Sequence, residues 1–310
     1  LGLTGKNEII AIADTGLDTG NKAFIHPDFQ GRVRDIKSYP ITAALDRFID
    51  NPRDDCGAAD RFSGHGTHVA GSALGDGKSA SLRSLSVIPS GMAIEADLVF
   101  QSIEQEPKWT ATYFTFHVKE TGRMPPSVDF SGLPEDLGDL FEDAYTKGAR
   151  VHSNSWGSPC FEDEGVPQQD MELDRFVWDH KDFLVIMAAG NRATHSAPHA
   201  SLNQGSIESP GTAKNCLTVG ASENDRQGQF LHTYEQHGFC YEPFVSCGVA
   251  DSVNHIAAFS SRGPCVDRRI KPDAVVPGTL IFSTRSSQIA NNNFAEGAYL
   301  PAQKEYMLMS

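Results

Sequence analysis

Long apolar runs are missing from this chain of 310 residues. The longest, Phe183-Leu184-Val185-Ile186-Met187-Ala188-Ala189, falls far short of the ~20 residues that cross a bilayer, so no membrane partner is expected. Positive charge is scarce as well: 26 Lys and Arg stand against 40 Asp and Glu, a net charge of −14. Such a surface repels polyanions, so nucleic acid and anionic lipid are not expected partners either. Cysteine is sparse, and Cys56, Cys160, Cys216, Cys240, Cys247 and Cys265 contain no Cys-x-x-Cys pair of the kind that holds zinc. Cys240 and Cys247 share a loop-like stretch and are the expected disulfide; Cys216, in Cys216-Leu217-Thr218-Val219-Gly220, reads as a buried core thiol. The chain has no Asn-x-Ser/Thr sequon, so glycosylation says nothing about compartment. There is no internal repeat and no low-complexity tract. Leu1 follows no initiator Met and no basic-then-apolar leader, a start expected after processing.

What is present alternates. Ile9 to Ala13 is a continuous apolar run closed by Asp14-Thr15-Gly16, the pattern of a parallel strand buried on both faces. Similar runs are Ala96 to Ile103, Val151 to Ser155, Phe183 to Ala189 and Leu217 to Ala221. Helices are expected between them at Thr67 to Leu74, at Met171 to His180 and at Glu135 to Lys147, where Leu137, Leu140, Phe141 and Ala144 recur at helical spacing. Strands alternating with helices predict an α/β fold: a central, mostly parallel sheet flanked by helices in three layers, with binding loops at the carboxyl ends of the strands. Residues 104–134, 158–170 and 226–256 interrupt the rhythm and read as surface insertions in one domain covering residues 1–310.

Three polar residues stand where such a fold does chemistry. Asp14 closes a buried strand. His65, in Gly64-His65-Gly66-Thr67-His68-Val69-Ala70-Gly71, opens a glycine-bounded apolar helix. A buried carboxylate beside an imidazole orients the ring and stabilises the imidazolium that forms when it accepts a proton. His68 stands one turn from His65, but Gly and Thr between them lack the glutamate of a His-Glu-x-x-His zinc helix, so His68 is read as packed behind a general base. Asp18-Thr19-Gly20 repeats Asp14-Thr15-Gly16 four residues on; an aspartic peptidase needs two distant loops meeting across a pseudo-twofold, which adjacent copies cannot supply. Asn191 follows Ala188-Ala189-Gly190 at another strand end, and has two readings: an amide that donates to an oxyanion, or a turn residue.

These motifs, in this order, resemble the subtilisin-like serine proteases, most of all the larger alkaline ones. Ala13 to Asp18 is similar to the family's aspartate motif, and Gly64 to Gly71 to its histidine motif with His65 catalytic. Asn154-Ser155-Trp156-Gly157 resembles one wall of the primary specificity pocket, and Ala188-Ala189-Gly190-Asn191 its opposite wall and oxyanion amide. Ser209 to Thr212, Phe259 to Pro264 and Lys271 to Gly278 are similar to further signatures. The resemblance implies a secreted, extracellular serine endopeptidase acting on peptides or proteins, with catalytic Asp14, His65 and Asn191 and substrate-binding Ser155, Trp156, Gly157, Ala188, Ala189 and Gly190. It implies no catalytic cofactor, a structural calcium for which Asp54, Asp55 and Asp60 offer hard oxygens, and a propeptide partner. Tyr306-Met307-Leu308-Met309-Ser310 resembles the run leading into the nucleophile motif, with Ser310 just before it. The resemblance therefore puts the catalytic serine, and the helix after it, in a continuation or separate fragment beyond residue 310, with a β-sandwich domain expected further on. The rival is a pseudoprotease, a peptide-binding module without turnover.

Overall fold

The structure, a computed structural model, describes residues 2–82, 88–160, 166–193, 202–226, 233–234, 239, 245–289 and 305–310. The strands are β1 (Ile9–Asp14), β2 (Val33–Ser38), β3 (Asp97–Ser102), β4 (Val151–Asn154), β5 (Leu184–Ala188), β6 (Leu217–Ser222), β7 (Ala274–Pro277), β8 (Ile281–Thr284) and β9 (Tyr306–Met309). The helices are α1 (His65–Leu74), α2 (Lys78–Leu82), α3 (Ala111–Thr121), α4 (Leu137–Thr146) and α5 (Gln168–Asp179). Strands β2-β3-β1-β4-β5-β6-β7 follow one another in a seven-stranded sheet, and β8 and β9 form a two-stranded one. The α/β class expected from the alternation is the class found. The chain divides into two compact units, the first holding the described residues of 2–152, 283–289 and 305–306, the second those of 153–282 and 307–310.

In the first unit, β1 lies parallel to β3 in a register from Ile9 opposite Asp97 to Asp14 opposite Ser102. Strand β2 is parallel to β3 on its other side, with a shift between Val33 and Asp35. The apolar run of β1 is continuous because Ala11, Ile12 and Ala13 are fully buried. Ile12, Leu17, Leu98 and Phe100 pack with Ala70 and Leu74 of α1 and with Ile25 and Phe29. Burying each large side chain of this kind contributes roughly 1.5–3 kcal/mol, which holds α1 against β1 and β3. Gly66 is required there: a Cβ on it would collide with the Gly16 carbonyl oxygen. Helix α4 buries Leu137, Leu140, Phe141 and Ala144, the four positions its periodicity marks, and Asp136 caps it by accepting from the Gly138 N–H at 2.8 Å. Helix α3 lies inside the segment expected as a surface insertion. It buries no residue, so it carries no apolar stripe to read.

In the second unit, β5 pairs parallel with β6, Ile186 opposite Leu217, and β6 with β7, Val219 opposite Ala274. Tyr234, Phe239, Val249, Ala257, Ala258, Phe259, Leu280 and Leu308 form its described core. The Asn154 Nδ2 at the end of β4 donates to the Ile186 carbonyl of β5 at 3.2 Å.

Candidate active site

Strand β1 delivers Asp14 fully buried at its carboxyl end, and α1 starts with His65 after Gly64, whose φ of 76° makes the left-handed turn that redirects the chain. His65 Nδ1 lies 2.7 Å from Asp14 Oδ1, which also accepts the Thr15 N–H at 2.8 Å. With Nδ1–H directed at the carboxylate, the neutral ring keeps Nε2 as its proton acceptor. About a third of the His65 side chain, 34%, is exposed, while the Asp14 side chain has no exposed surface. Asp14 Oδ2 is buried with no hydrogen-bond partner among the described residues.

Asp60 builds the rest. Its carboxylate accepts from the Gly64 N–H (3.0 Å), the Thr67 N–H (2.9 Å), the Thr67 hydroxyl (2.6 Å) and the Thr15 hydroxyl (3.1 Å), while the Gly66 N–H donates to Thr15 Oγ1 at 2.8 Å. A single buried carboxylate thus ties the first turn of α1 to the turn after β1, at the helix end where negative charge is favoured. Its placement just upstream of the histidine motif is the signal that could have marked it as a helix-cap acid.

Three carboxyl groups crowd one imidazole. Burial works against the His65 imidazolium, but the Asp14 carboxylate, by charge and hydrogen bond, outweighs it; Asp60 and Glu104 add to the attraction, and the pKa rises to about 9. Glu104 is pushed up to about 8, first by burial and then by the Asp60 and Asp14 charges, against which His65 pulls it down. Burial raises Asp60 to about 6 despite its bonds from Thr67 and Thr15. Glu104 Oε2 is buried without a hydrogen-bond partner among the described residues. Its place is explained by register: β3 ends opposite Asp14, and Glu104 follows two residues later, but no spacing in the sequence singles it out.

In the second unit, Asn191 is exposed, and its side chain makes no hydrogen bond among the described residues. Ser155 is half-buried, Gly157 exposed, and Trp156 buried at 5% exposure, a packing residue as much as a lining one. Ser158 and Ser209 exchange backbone hydrogen bonds at 2.8 Å, and the Glu208 N–H donates to the Ala189 carbonyl at 3.0 Å. Residues 208–209 therefore join the segment 155–158 to the segment 188–191. This strip is pinned by Asp170 of α5, which accepts from Ser209 Oγ at 2.6 Å and Thr212 Oγ1 at 2.5 Å.

A family model, Peptidase S8, the subtilase family, matches residues 5–310. The chain belongs to the subtilase family. It is 29% identical to the serine protease/ABC transporter B family protein tagD of Dictyostelium discoideum, over 92% of this chain and 16% of that protein. It is 27% identical to the serine protease AprX of Bacillus subtilis, over 92% of this chain and 49% of AprX. This subtilase thus spans less than a fifth of the Dictyostelium relative and about half of AprX. The Clostridium perfringens CspB protease shares its fold, with a TM-score of 0.52 at 14% identity over 92% of this chain and 79% of that one.

Cys56, Cys160, Cys216, Cys247 and Cys265 are not joined to one another, and the expected Cys240–Cys247 pair falls outside the described residues, because Cys240 is not among them. Cys216 is buried as expected, against the Ala213 and Pro210 carbonyls. Asp54, Asp55 and Asp60, offered for a structural calcium, do not gather into one ligand group among the described residues. Asp60 is spent on donors of α1 and Thr15; Asp54 accepts from the Asp55 N–H and Asn51, and Asp55 from Ser38 and the Gly57 N–H. Among the described residues one group of possible ligands does converge, Glu223, Asp251 and His255, within 4.8 Å of one another. Its imidazole is a poor donor for calcium.

Proposed function

We propose that this subtilase chain is the catalytic portion of a serine endopeptidase, working through an Asp14–His65–serine triad with Asn191 as an oxyanion donor. The observation that carries the reading is the 2.7 Å contact between a fully buried carboxylate and the Nδ1 of a partly exposed histidine. His65 Nε2 takes the proton of the serine hydroxyl as its oxygen attacks the peptide carbonyl. Asp14 holds the ring's tautomer and stabilises the imidazolium. The Asn191 amide donates to the tetrahedral oxyanion. Collapse of the intermediate passes the proton from His65 to the leaving amine, and water repeats the cycle on the acyl-enzyme.

The nucleophile is assigned to a serine C-terminal to residue 310, because Tyr306 to Ser310 resembles the approach to the family's serine motif. The substrate is an extended peptide seated on Ser155, Trp156, Gly157, Ala188, Ala189 and Gly190. Removal of a propeptide and action outside the cell belong to the same proposal and rest on the resemblance alone; activity confined to cell lysate, with none in the medium, would contradict secretion.

The test is intact-mass analysis of the full-length protein after treatment with a fluorophosphonate. One adduct, mapped to a serine beyond residue 310, is the expected result. No adduct on folded protein would replace the enzyme by a peptide-binding module that keeps the fold without turnover.

A further inference from the structure

Glu208 lies between two glycines that both face its side chain. A Cβ built on Gly190, whose φ is 103°, would stand 2.6 Å from Glu208 Oε2, and one built on Gly157 would stand 3.4 Å from the same oxygen. These glycines belong to the two segments assigned above to substrate binding, and the backbone bonds from Glu208 to Ala189 and from Ser209 to Ser158 fix the carboxylate between them. Its side chain is only 14% exposed. A carboxylate drawn that far from water is costly unless a cation meets it. The cation present is Arg192, whose Nε donates to Glu208 Oε1 at 2.7 Å. Arg192 is 57% exposed and engages one oxygen through one nitrogen, while Oε2, the oxygen nearest both glycines, has no hydrogen-bond donor among the described residues.

A side chain at Gly190 would collide with that carboxylate, and one at Gly157 would crowd the Glu208 side chain, so both segments are bare where the acid lies. Glu208 is thus an acid bounded by two glycine-bearing segments, and the cation paired with it among the described residues, Arg192, is largely exposed. We propose that Glu208 makes the substrate pocket selective for a basic side chain, Arg or Lys, on the residue preceding the cleaved bond. Arg192 acts as an internal competitor that shares or yields the carboxylate when the substrate's cation enters. The inference rests on the peptidase reading and on the two glycine-bearing segments forming the pocket. Glu208 touches the substrate's side chain, not the reacting atoms, so its substitution acts on selectivity. A charge-assisted hydrogen bond in a largely desolvated site sets the scale: roughly ten- to a hundredfold in kcat/KM.

The experiment uses the full-length protein and matched peptide substrates carrying Arg, Lys, Leu or Phe before the cleaved bond, with active sites counted by fluorophosphonate labelling. Wild-type enzyme is expected to favour Arg and Lys over Leu and Phe by about ten- to a hundredfold in kcat/KM. Glu208→Gln is expected to abolish that ratio, mainly through KM, and Arg192→Ala, a change at an exposed side chain, to increase it. A labelled enzyme that prefers Leu or Phe, or whose preference for Arg survives in Glu208→Gln and is unmoved in Arg192→Ala, overturns the assignment of Glu208 while leaving the peptidase reading intact. Absence of labelling overturns the peptidase reading, and this inference with it.

Discussion

The two units solve opposite problems. In the first, four titratable side chains, Asp14, Asp60, His65 and Glu104, are drawn into one buried neighbourhood, where burial and then the neighbouring charges shift the pKa values of Asp60, His65 and Glu104. In the second, the segments 155–158 and 188–191 present glycine, alanine and backbone, with Glu208 as the acid between them. A proton-transfer pair has to be fixed in position and tuned, which buried charge does strongly. A surface for an extended peptide has to be open, and small residues do that by leaving space. Catalytic rate should therefore respond most to substitution in the first unit and discrimination between substrates to substitution in the second.

The largest effect is expected at the charged end of that comparison. His65→Ala should lower kcat by about 10⁴-fold or more with KM little changed, and Asp14→Asn, which keeps the shape but loses the charge that holds the tautomer, by about 10⁴-fold. Steady-state kinetics on the full-length protein checks both, and a loss under tenfold in either would remove the pair from the chemistry. Next, Asn191→Ala should cost about a hundredfold or more in kcat, ~3 kcal/mol of barrier, with KM similar. A rise in KM at constant kcat would make Asn191 a binding or turn residue instead.

Comparable in size, but read in stability, is Asp60→Ala. It leaves the Gly64 and Thr67 N–H groups and two threonine hydroxyls without their shared acceptor. At least about 3 kcal/mol should be lost, visible as a lowered Tm. An unchanged Tm would mean that α1 is held by its apolar packing alone.

The finest test is pH. Only neutral His65 accepts a proton, so kcat/KM should climb as pH rises through about 9. Glu104→Gln removes a charge that favours the imidazolium, and should move that limb to lower pH. The same shift is a stability statement. The folded-state pKa of His65 is raised from 6.5 to about 9, so the Asp14–His65 contribution is complete below 6.5 and is lost as pH rises toward and through about 9. Glu104, raised from 4.5 to about 8, runs the same way: the folded state favours its protonated form, and stability from it falls as pH rises between those values. Denaturant titrations across that range check the sign; stability rising with pH there would contradict it.

What could be read in advance follows from how local each signal is. Strand β1 and helices α1 and α4 were legible because burial on both faces, or along one stripe, leaves a pattern in consecutive residues. Asp14 and His65 were legible because each sits where a buried element ends. Helix α3 was not, since an exposed helix with Thr110 as its cap has no burial pattern to show. Strand β2 was missed for a related reason: its Val33-Arg34-Asp35-Ile36-Lys37-Ser38 mixes charge into a half-buried run. Asp60, Glu104 and Glu208 depend on contacts between distant segments, to Thr15 and Thr67, to the end of β1, and to two glycines. No spacing along the chain encodes the meetings of Glu104 and Glu208, and Asp60 has only its place just upstream of the histidine motif to mark it.

The most direct test of the Asp14–His65 pair as the activating base is the pH dependence of fluorophosphonate labelling in the full-length protein, wild type beside His65→Ala. The expected result is labelling of one serine whose rate climbs through about pH 9 in wild type and is lost in the variant. Labelling that is flat with pH, or that proceeds equally without His65, would contradict it.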